Sequence, residues 1–334
     1  MSHLTKQRPK TPQGLLALYA PIRRELDQVE EILWDELSSN HPFVDRLVKH
    51  GFRLGGKRLR PALVLLSAKA GGQLERDHLV LAAAVEMIHT ATLIHDDVLD
   101  EATLRRHLDT VNARWDNEAS ILLGDYLFTH SLCMAASLQN AFACRAIAEA
   151  TRAMCEGELR QVESSGNYDL GEDDYLDIIA DKTAALCACC CRLGSHYAGA
   201  DPDLRGTFTR YGRYLGIAFQ IVDDLLDLVG DEAVAGKSLG TDLVKKKPTL
   251  PLIRLLNQSS RGERSDVLAI LSNSDNHYRE ALMPWFERSD ALSYARGKAI
   301  FFGRRAVEEL DAAPPTAARE TLKRLVDFVL SRKK

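Results

Sequence analysis

A chain of 334 residues with 46% hydrophobic content can build a sizeable core, and its 21 glycines and 11 prolines are too few for a fibrous or disordered protein. A formal net charge of -4 argues against a nucleic-acid binder that relies on a uniformly basic surface. Aromatics are scarce at 7% while alanine and leucine abound, a balance that favours helix over sheet.

Residues 1–13 are polar and basic with no apolar segment of the secretory kind. They read as a flexible N-terminus ahead of one helical domain, 14–332, with a cytoplasmic location expected. Periodicity predicts helices over 14–38, 41–52, 59–71, 77–104, 112–138, 141–166, 173–199, 203–230, 249–257, 263–272, 276–285, 289–310 and 317–332, and no convincing strand. Short connections predict an all-α, single-domain bundle of long, mostly antiparallel helices. No uninterrupted apolar stretch reaches the ~18 residues of a spanning helix, so no stable membrane insertion is expected. Asp290 and Thr316 stand as N-caps, and Arg332-Lys333-Lys334 reads as a solvated helix end rather than a membrane contact.

Four of the seven cysteines crowd into Cys187, Cys189, Cys190 and Cys191. Nearby histidines lack ligand-like spacing, so the cysteines read as small hydrophobes packed in a helix rather than as a metal cluster.

The chemistry lies in two acidic triplets. Asp96, Asp97 and Asp100 form one Asp-Asp-x-x-Asp, and Asp223, Asp224 and Asp227 form another. In a helix, positions i, i+3 and i+4 share a face, so each triplet stacks like charges that repel unless cations screen them. Each follows an apolar run, which makes poor structural sense alone. Oxygen donors without thiols or paired imidazoles suit a hard cation, magnesium before zinc or copper, and magnesium commonly bridges to substrate phosphates.

Cations accompany the acids. Lys57, Arg58 and Arg60 follow the glycine pair Gly55-Gly56, and Arg105 and Arg106 come soon after Asp100, near the end of the same predicted helix. Lys182, Lys237 and Lys247 lie elsewhere along the chain. Any one of these could be a surface charge; with two acidic helices they suit a substrate carrying diphosphates. His89, two turns before Asp96, is placed to donate to a phosphate oxygen, with a buried structural histidine as the alternative.

These residues resemble the trans-prenyl diphosphate synthase (polyprenyl synthetase) family over roughly residues 15–330. The resemblance rests on Gly55 to Pro61, Asp96 to Asp100 with Arg105-Arg106, Gly124-Asp125-Tyr126, Lys182-Thr183, Phe219 to Asp227, and Gly236-Lys237 through Pro251. It implies a dimeric helical bundle of the isoprenoid synthase type around a deep cavity, adding isopentenyl diphosphate head-to-tail to an allylic diphosphate. It further implies that Lys57, Arg60, His89 and Arg106 hold isopentenyl diphosphate, and that Arg105, Lys182, Thr183, Gln220, Lys237 and Lys247 surround the allylic diphosphate. Asp96, Asp100 and Asp223 would bind Mg2+ most directly, supported by Asp97, Asp224 and Asp227, with three ions per site and Mn2+ as a substitute. Catalysis would rest on Asp96, Asp97, Asp100, Arg105, Lys182, Asp223 and Asp224. Two residues depart from the pattern: His107 and Lys246 stand where the family usually has glycine.

Product length is read from the helix before Asp96. Ala91 and Thr92 are small, and Ile88, Val85 and Ala84 further back are not aromatic. No side-chain floor is evident for about 18 Å, unless Phe128 and Met134 of a facing helix supply one, so a product of about 30–40 carbons or more is expected, with 20 carbons as the runner-up. Two other readings compete. A class I terpene cyclase usually carries a mixed Asn/Ser/Glu second motif, and a non-catalytic subunit of a heteromeric synthase typically loses acids that are all present here.

Overall fold

In the computed structural model the chain is helical almost throughout, and residues 13–53, 56–230, 239–273 and 277–332 are described. It forms two compact units, each assembled from separate stretches. The first takes residues 1–148, 190–208 and 313–322, and the second takes 149–189, 209–312 and 323–334.

The first unit contains α1 (Gln13–Leu18), α2 (Arg23–Glu36), α3 (Pro42–Arg53), α4 (Leu59–Gly71), α5 (Arg76–Leu99), α6 (Val111–Arg114) and α7 (Asn117–Ala136). The helix expected over 14–38 is broken at Ala20–Ile22 by a short 3-10 turn, because Pro21 has no N–H for the helical ladder. The one expected over 112–138 is also two helices: after Trp115, Asp116 caps α7 by accepting from the Ala119 N–H at 2.7 Å.

Helix α5 is the axis of this unit, packed against α2, α4 and α7. Residues from Leu81 to Ile88 are buried on every side, and each large apolar side chain so enclosed contributes about 1.5–3 kcal/mol. His78 pins its start. The Glu75 N–H donates to Nδ1 at 2.8 Å, so Nε2 carries the proton donated to the Gly194 carbonyl at 3.0 Å. Gly194 is required there, since a Cβ would lie 2.2 Å from the Val64 carbonyl oxygen.

Helix α5 ends at Leu99, five residues before the expected end, with Asp100 as its C-cap. A two-stranded antiparallel hairpin follows, β1 (Leu104–Arg105) and β2 (Leu108–Asp109), where no strand was expected. Its turn residues Arg106 and His107 both have positive φ, 52° and 65°, the backbone of the tight turn that suits strand twist. Glycine adopts that shape without strain, which accounts for the glycine preference that His107 departs from. A hairpin this short leaves too little alternation to register in sequence.

The second unit contains α9 (Glu172–Ile179), α12 (Thr241–Val244), α13 (Leu250–Gln258), α14 (Arg261–Leu271), α15 (Tyr278–Arg288) and α16 (Ala291–Glu309). Helices α8 (Phe142–Glu163), α10 (Ala185–Tyr197), α11 (Pro202–Val229) and α17 (Ala317–Leu330) contribute residues to both units. Tyr175, Ile179, Ile217, Ile221, Leu225, Leu250, Ile253 and Ala299 form one apolar core of the second unit. The helix expected over 173–199 is interrupted at Ala180–Ala184 by a π turn. Thr316 accepts from the Arg319 N–H at 3.1 Å as expected of a cap, whereas Asp290 stands at the N-cap of α16 but its carboxylate makes no capping hydrogen bond and pairs with Arg254 at 2.7 Å.

All four clustered cysteines are buried in α10. Helices α5 and α7 have the length and composition of a membrane span; α5 is 67% buried within the protein and α7 only 39%.

Candidate active site

In the first unit, the helical repeat turns the acids of α5 to different surroundings. Asp97 is buried, and its Oδ1 accepts from both Nε and Nη2 of Arg105, at 2.8 and 2.7 Å. Its Oδ2 finds no partner among the described residues. Burial pushes the Asp97 carboxyl above its ordinary pKa, Arg105 opposes this, and Asp100 adds to it. Asp96 and Asp100 are half-buried. Asn112 ties the hairpin to the helix end by donating to the Ala102 carbonyl at 3.0 Å. Arg105 is thereby folded back over the acids instead of trailing along a helix.

Gly124 explains its own place in the Gly-Asp-Tyr motif. A Cβ there would lie 2.1 Å from Nε2 of His95, the neighbour of Asp96.

The glycine loop and the hairpin meet. A Cβ on Gly56 would lie 3.3 Å from Arg106 Nη2, so the guanidinium lies against that glycine. His89 lines a pocket with Gly51, Gly56, Glu86, Thr90, Leu93 and Ile94. Its pKa is driven well below the usual histidine value, first by burial and then by Arg60, Arg106, Arg105 and Arg58. The imidazole is therefore neutral at pH 7, with one N–H to give, inside a concentration of positive charge. Arg58, Arg60, Arg105 and Arg106 thus lie close enough to His89 to act on its charge.

In the second unit a hydrogen-bonded chain links the other acidic triplet to Lys182-Thr183. Thr183 donates to Gln220 Oε1 at 2.7 Å, and Gln220 Nε2 donates to Asp224 Oδ1 at 2.7 Å. Tyr175 OH donates to Asp224 Oδ2 at 2.6 Å. Lys182 reaches Gln161 and Glu158, each at 2.6 Å. The π turn carries Lys182 and Thr183, and two glycines let helices close on it: a Cβ on Gly157 would sit 2.4 Å from the Lys182 nitrogen, and one on Gly216 would sit 2.5 Å from Ala184 Cα. π turns are frequent at functional sites.

Asp227 holds a loop. It accepts at Oδ1 from Thr241 Oγ1 at 3.0 Å, at Oδ2 from the Asp242 N–H at 3.1 Å, and at its carbonyl from the Gly240 N–H at 2.8 Å. Asp242 in turn accepts from the Lys247 N–H at 2.8 Å. Lys246 has φ 54°, consistent with the glycine that usually stands there. Lys237 and Gly236, together with Gly55, lie outside the described residues.

Asp223, more open than its two buried neighbours, pairs with Arg332 Nη2 at 3.0 Å. Arg332 is therefore not a solvated end: its guanidinium also lies 4.3 Å over the Phe219 ring. Lys333 and Lys334 lie outside the described residues. Sequence reasoning missed the contacts of Arg332 and Tyr175 with the second acidic triplet. The faint signal for Tyr175 was its place seven residues, two helical turns, before Lys182.

The donor set fits magnesium. Among the described residues no three His, Cys, Asp or Glu side chains close into a cage. Paired carboxylate oxygens on an accessible helix end match an ion that keeps waters and takes phosphate oxygens as further ligands. Ala91, Val85 and Ile88 are buried, and Thr92 is the one of the four chain-length positions that is partly exposed.

A sequence profile of the polyprenyl synthetase family matches residues 41–283. The chain is 35% identical over 317 residues to an all-trans-nonaprenyl-diphosphate synthase (geranyl-diphosphate specific) of Rhodobacter capsulatus, covering 94% of this chain and 97% of that protein. It is 34% identical over 310 residues to the octaprenyl diphosphate synthase of Escherichia coli (strain K12), covering 92% and 96%. The crystal structure of a polyprenyl synthase from Caulobacter crescentus CB15, complexed with calcium and isoprenyl diphosphate, matches with a TM-score of 0.90 at 32% identity, covering 98% of this chain and 100% of that one.

Burial and the charges of Asp223 and Asp227 push the Asp224 carboxyl up to about 6, against the hydrogen bonds from Tyr175 and Gln220. The raised folded-state pKa means that ionised Asp224 destabilises the metal-free protein above about pH 6, and that the penalty fades as pH falls toward the unfolded value. Asp224→Asn should therefore raise the melting temperature in EDTA at pH 7.5, by up to about 3 kcal/mol in stability. The advantage should vanish near pH 4. A melting temperature lower than wild type at pH 7.5 would contradict this.

Proposed function

The chain belongs to the polyprenyl synthetase family, and on that premise we propose that it condenses isopentenyl diphosphate head-to-tail with an allylic diphosphate, making an all-trans polyprenyl diphosphate of about 30–40 carbons or more. The observation that carries this is the set of guanidinium groups gathered on the neutral His89, beside an acidic helix end. Such a concentration of cations calls for a polyanion.

Lys57, Arg60, His89 and Arg106 bind isopentenyl diphosphate in this reading. Arg105, Lys182, Thr183, Gln220, Lys237 and Lys247 bind the allylic diphosphate. Asp96, Asp100 and Asp223 hold Mg2+, up to three ions, while Asp97, Asp224 and Asp227 keep the neighbouring cations and loop in place. When bound, the metal draws charge off the departing diphosphate, which favours ionisation of the allylic carbon–oxygen bond. The cations of this chain hold both diphosphates so that the alkene faces the allylic carbon, and apolar walls keep water from the cation. The departing diphosphate accepts the proton lost at the end. Since both substrates are diphosphates handled in water, we place the reaction in the cytoplasm.

Long products are supported by the small Ala91 and Thr92 and by relatives named for nonaprenyl and octaprenyl products. Thr92, partly exposed, is the position a growing chain meets first. We further propose a homodimer closed over α7, whose Ile121 and Leu122 are 46% and 60% exposed.

Purified enzyme given farnesyl diphosphate, labelled isopentenyl diphosphate and magnesium should yield products well beyond 15 carbons, and Thr92→Phe should shorten them. Products that stop at 15 carbons would refute the reading of length, and no consumption of isopentenyl diphosphate would refute the activity. In light scattering, wild type should have twice the mass of Leu122→Glu; equal masses would rule out this dimer face.

A further inference from the structure

The cations that follow the glycine pair do not share one task. Arg58 points into the protein, its side chain 7% exposed. Its Nη1 donates to Glu86 Oε1 at 2.7 Å, its Nη2 to Glu30 Oε2 at 3.2 Å, and its Nε to Glu30 Oε1. Glu30 comes from α2 and Glu86 from α5, so one guanidinium ties the loop to two helices.

The backbone shows why so much is spent on one residue. Arg58 has φ 52° and ψ 33° at the N-cap of α4, a left-handed shape that side chains other than glycine adopt at about 1–3 kcal/mol and keep only where the surroundings dictate it. The preceding carbonyl, that of Lys57, accepts from the buried Tyr19 OH at 3.0 Å. The stretch between Gly56 and Leu59 is thus held by Arg58 and Tyr19, and Arg106 lies against Gly56.

This geometry sets where Lys57 and Arg60 leave the main chain. Glu86 stands one turn before His89 and lines the same pocket. A single buried carboxylate therefore ties the loop cations to the histidine helix. Its Oε2 has no hydrogen-bond partner among the described residues, so Arg58 is its principal counter-charge.

We propose that Glu30, Arg58 and Glu86 form a positioning brace that sets the spacing of Lys57, Arg60 and His89 for the diphosphate of isopentenyl diphosphate, without touching it. The inference rests on reading that cluster as the isopentenyl diphosphate site.

Steady-state kinetics with each substrate varied in turn tests it, beside calorimetric binding of isopentenyl diphosphate to the metal-free enzyme. Arg58→Lys keeps the charge and loses the fork. It should raise KM for isopentenyl diphosphate about tenfold or more and weaken its binding in parallel, leaving KM for the allylic diphosphate within about twofold. Glu86→Gln, which retains an acceptor for Arg58, should give a smaller shift of the same kind, and the double variant should be no worse than Arg58→Lys alone. Loss of melting temperature with unchanged isopentenyl diphosphate KM, or equal rises in both KM values, would overturn the brace. Lys57→Ala separates the two levels: if it leaves isopentenyl diphosphate binding unchanged, the site assignment itself fails and the brace with it. If it weakens binding while Arg58→Lys does not, the brace alone fails.

Discussion

Like charges crowded onto a buried helix face are the constraint around which this molecule is arranged. Three aspartates within five residues repel one another, and an apolar core removes the water that would screen them. The chain resolves this by dividing each triplet. In α5 the buried Asp97 is tied to Arg105, while Asp96 and Asp100 stay partly open. In α11 the buried Asp224 and Asp227 accept hydrogen bonds at both carboxylate oxygens, while Asp223 keeps more access.

The buried acids are organisers of cations in our reading. Asp97 folds the hairpin arginine back over the helix end. Asp224 is joined through Gln220 to Thr183 of the π turn, and Asp227 anchors the loop that leads to Lys247 through Asp242. Three of the cations, Arg58, Arg106 and Lys246, have positive φ, as do His107 and Glu101. Such strain persists where ligand-facing geometry matters more than local comfort. A neutral His89 among guanidinium groups belongs to the same economy, since a protonated imidazole there would face four like charges.

Much of this was legible in the sequence because it rests on spacing. The acidic triplets, the glycine loop and the mostly helical fold all follow from residue type and period. The hairpin after Leu99 was not, because six residues of alternation cannot outweigh a long helical pattern before them. Nor was the π turn at Ala180–Ala184, against which Gly157 and Gly216 of other helices pack closely. Asp290 looked like a cap, yet an arginine distant in sequence claims its carboxylate. The inward turn of Arg58 and the pairing of Arg332 with Asp223 depend on partners far along the chain, which periodicity does not reveal.

The division of labour among the six aspartates is tested most directly by calorimetric titration of Mg2+ in the presence of inorganic pyrophosphate, across single Asp→Asn variants. Asp96→Asn and Asp223→Asn should weaken Mg2+ binding by about tenfold or more, while Asp97→Asn and Asp227→Asn should leave it within about twofold and still lower turnover. Equal losses of Mg2+ affinity in all of these variants would contradict the account.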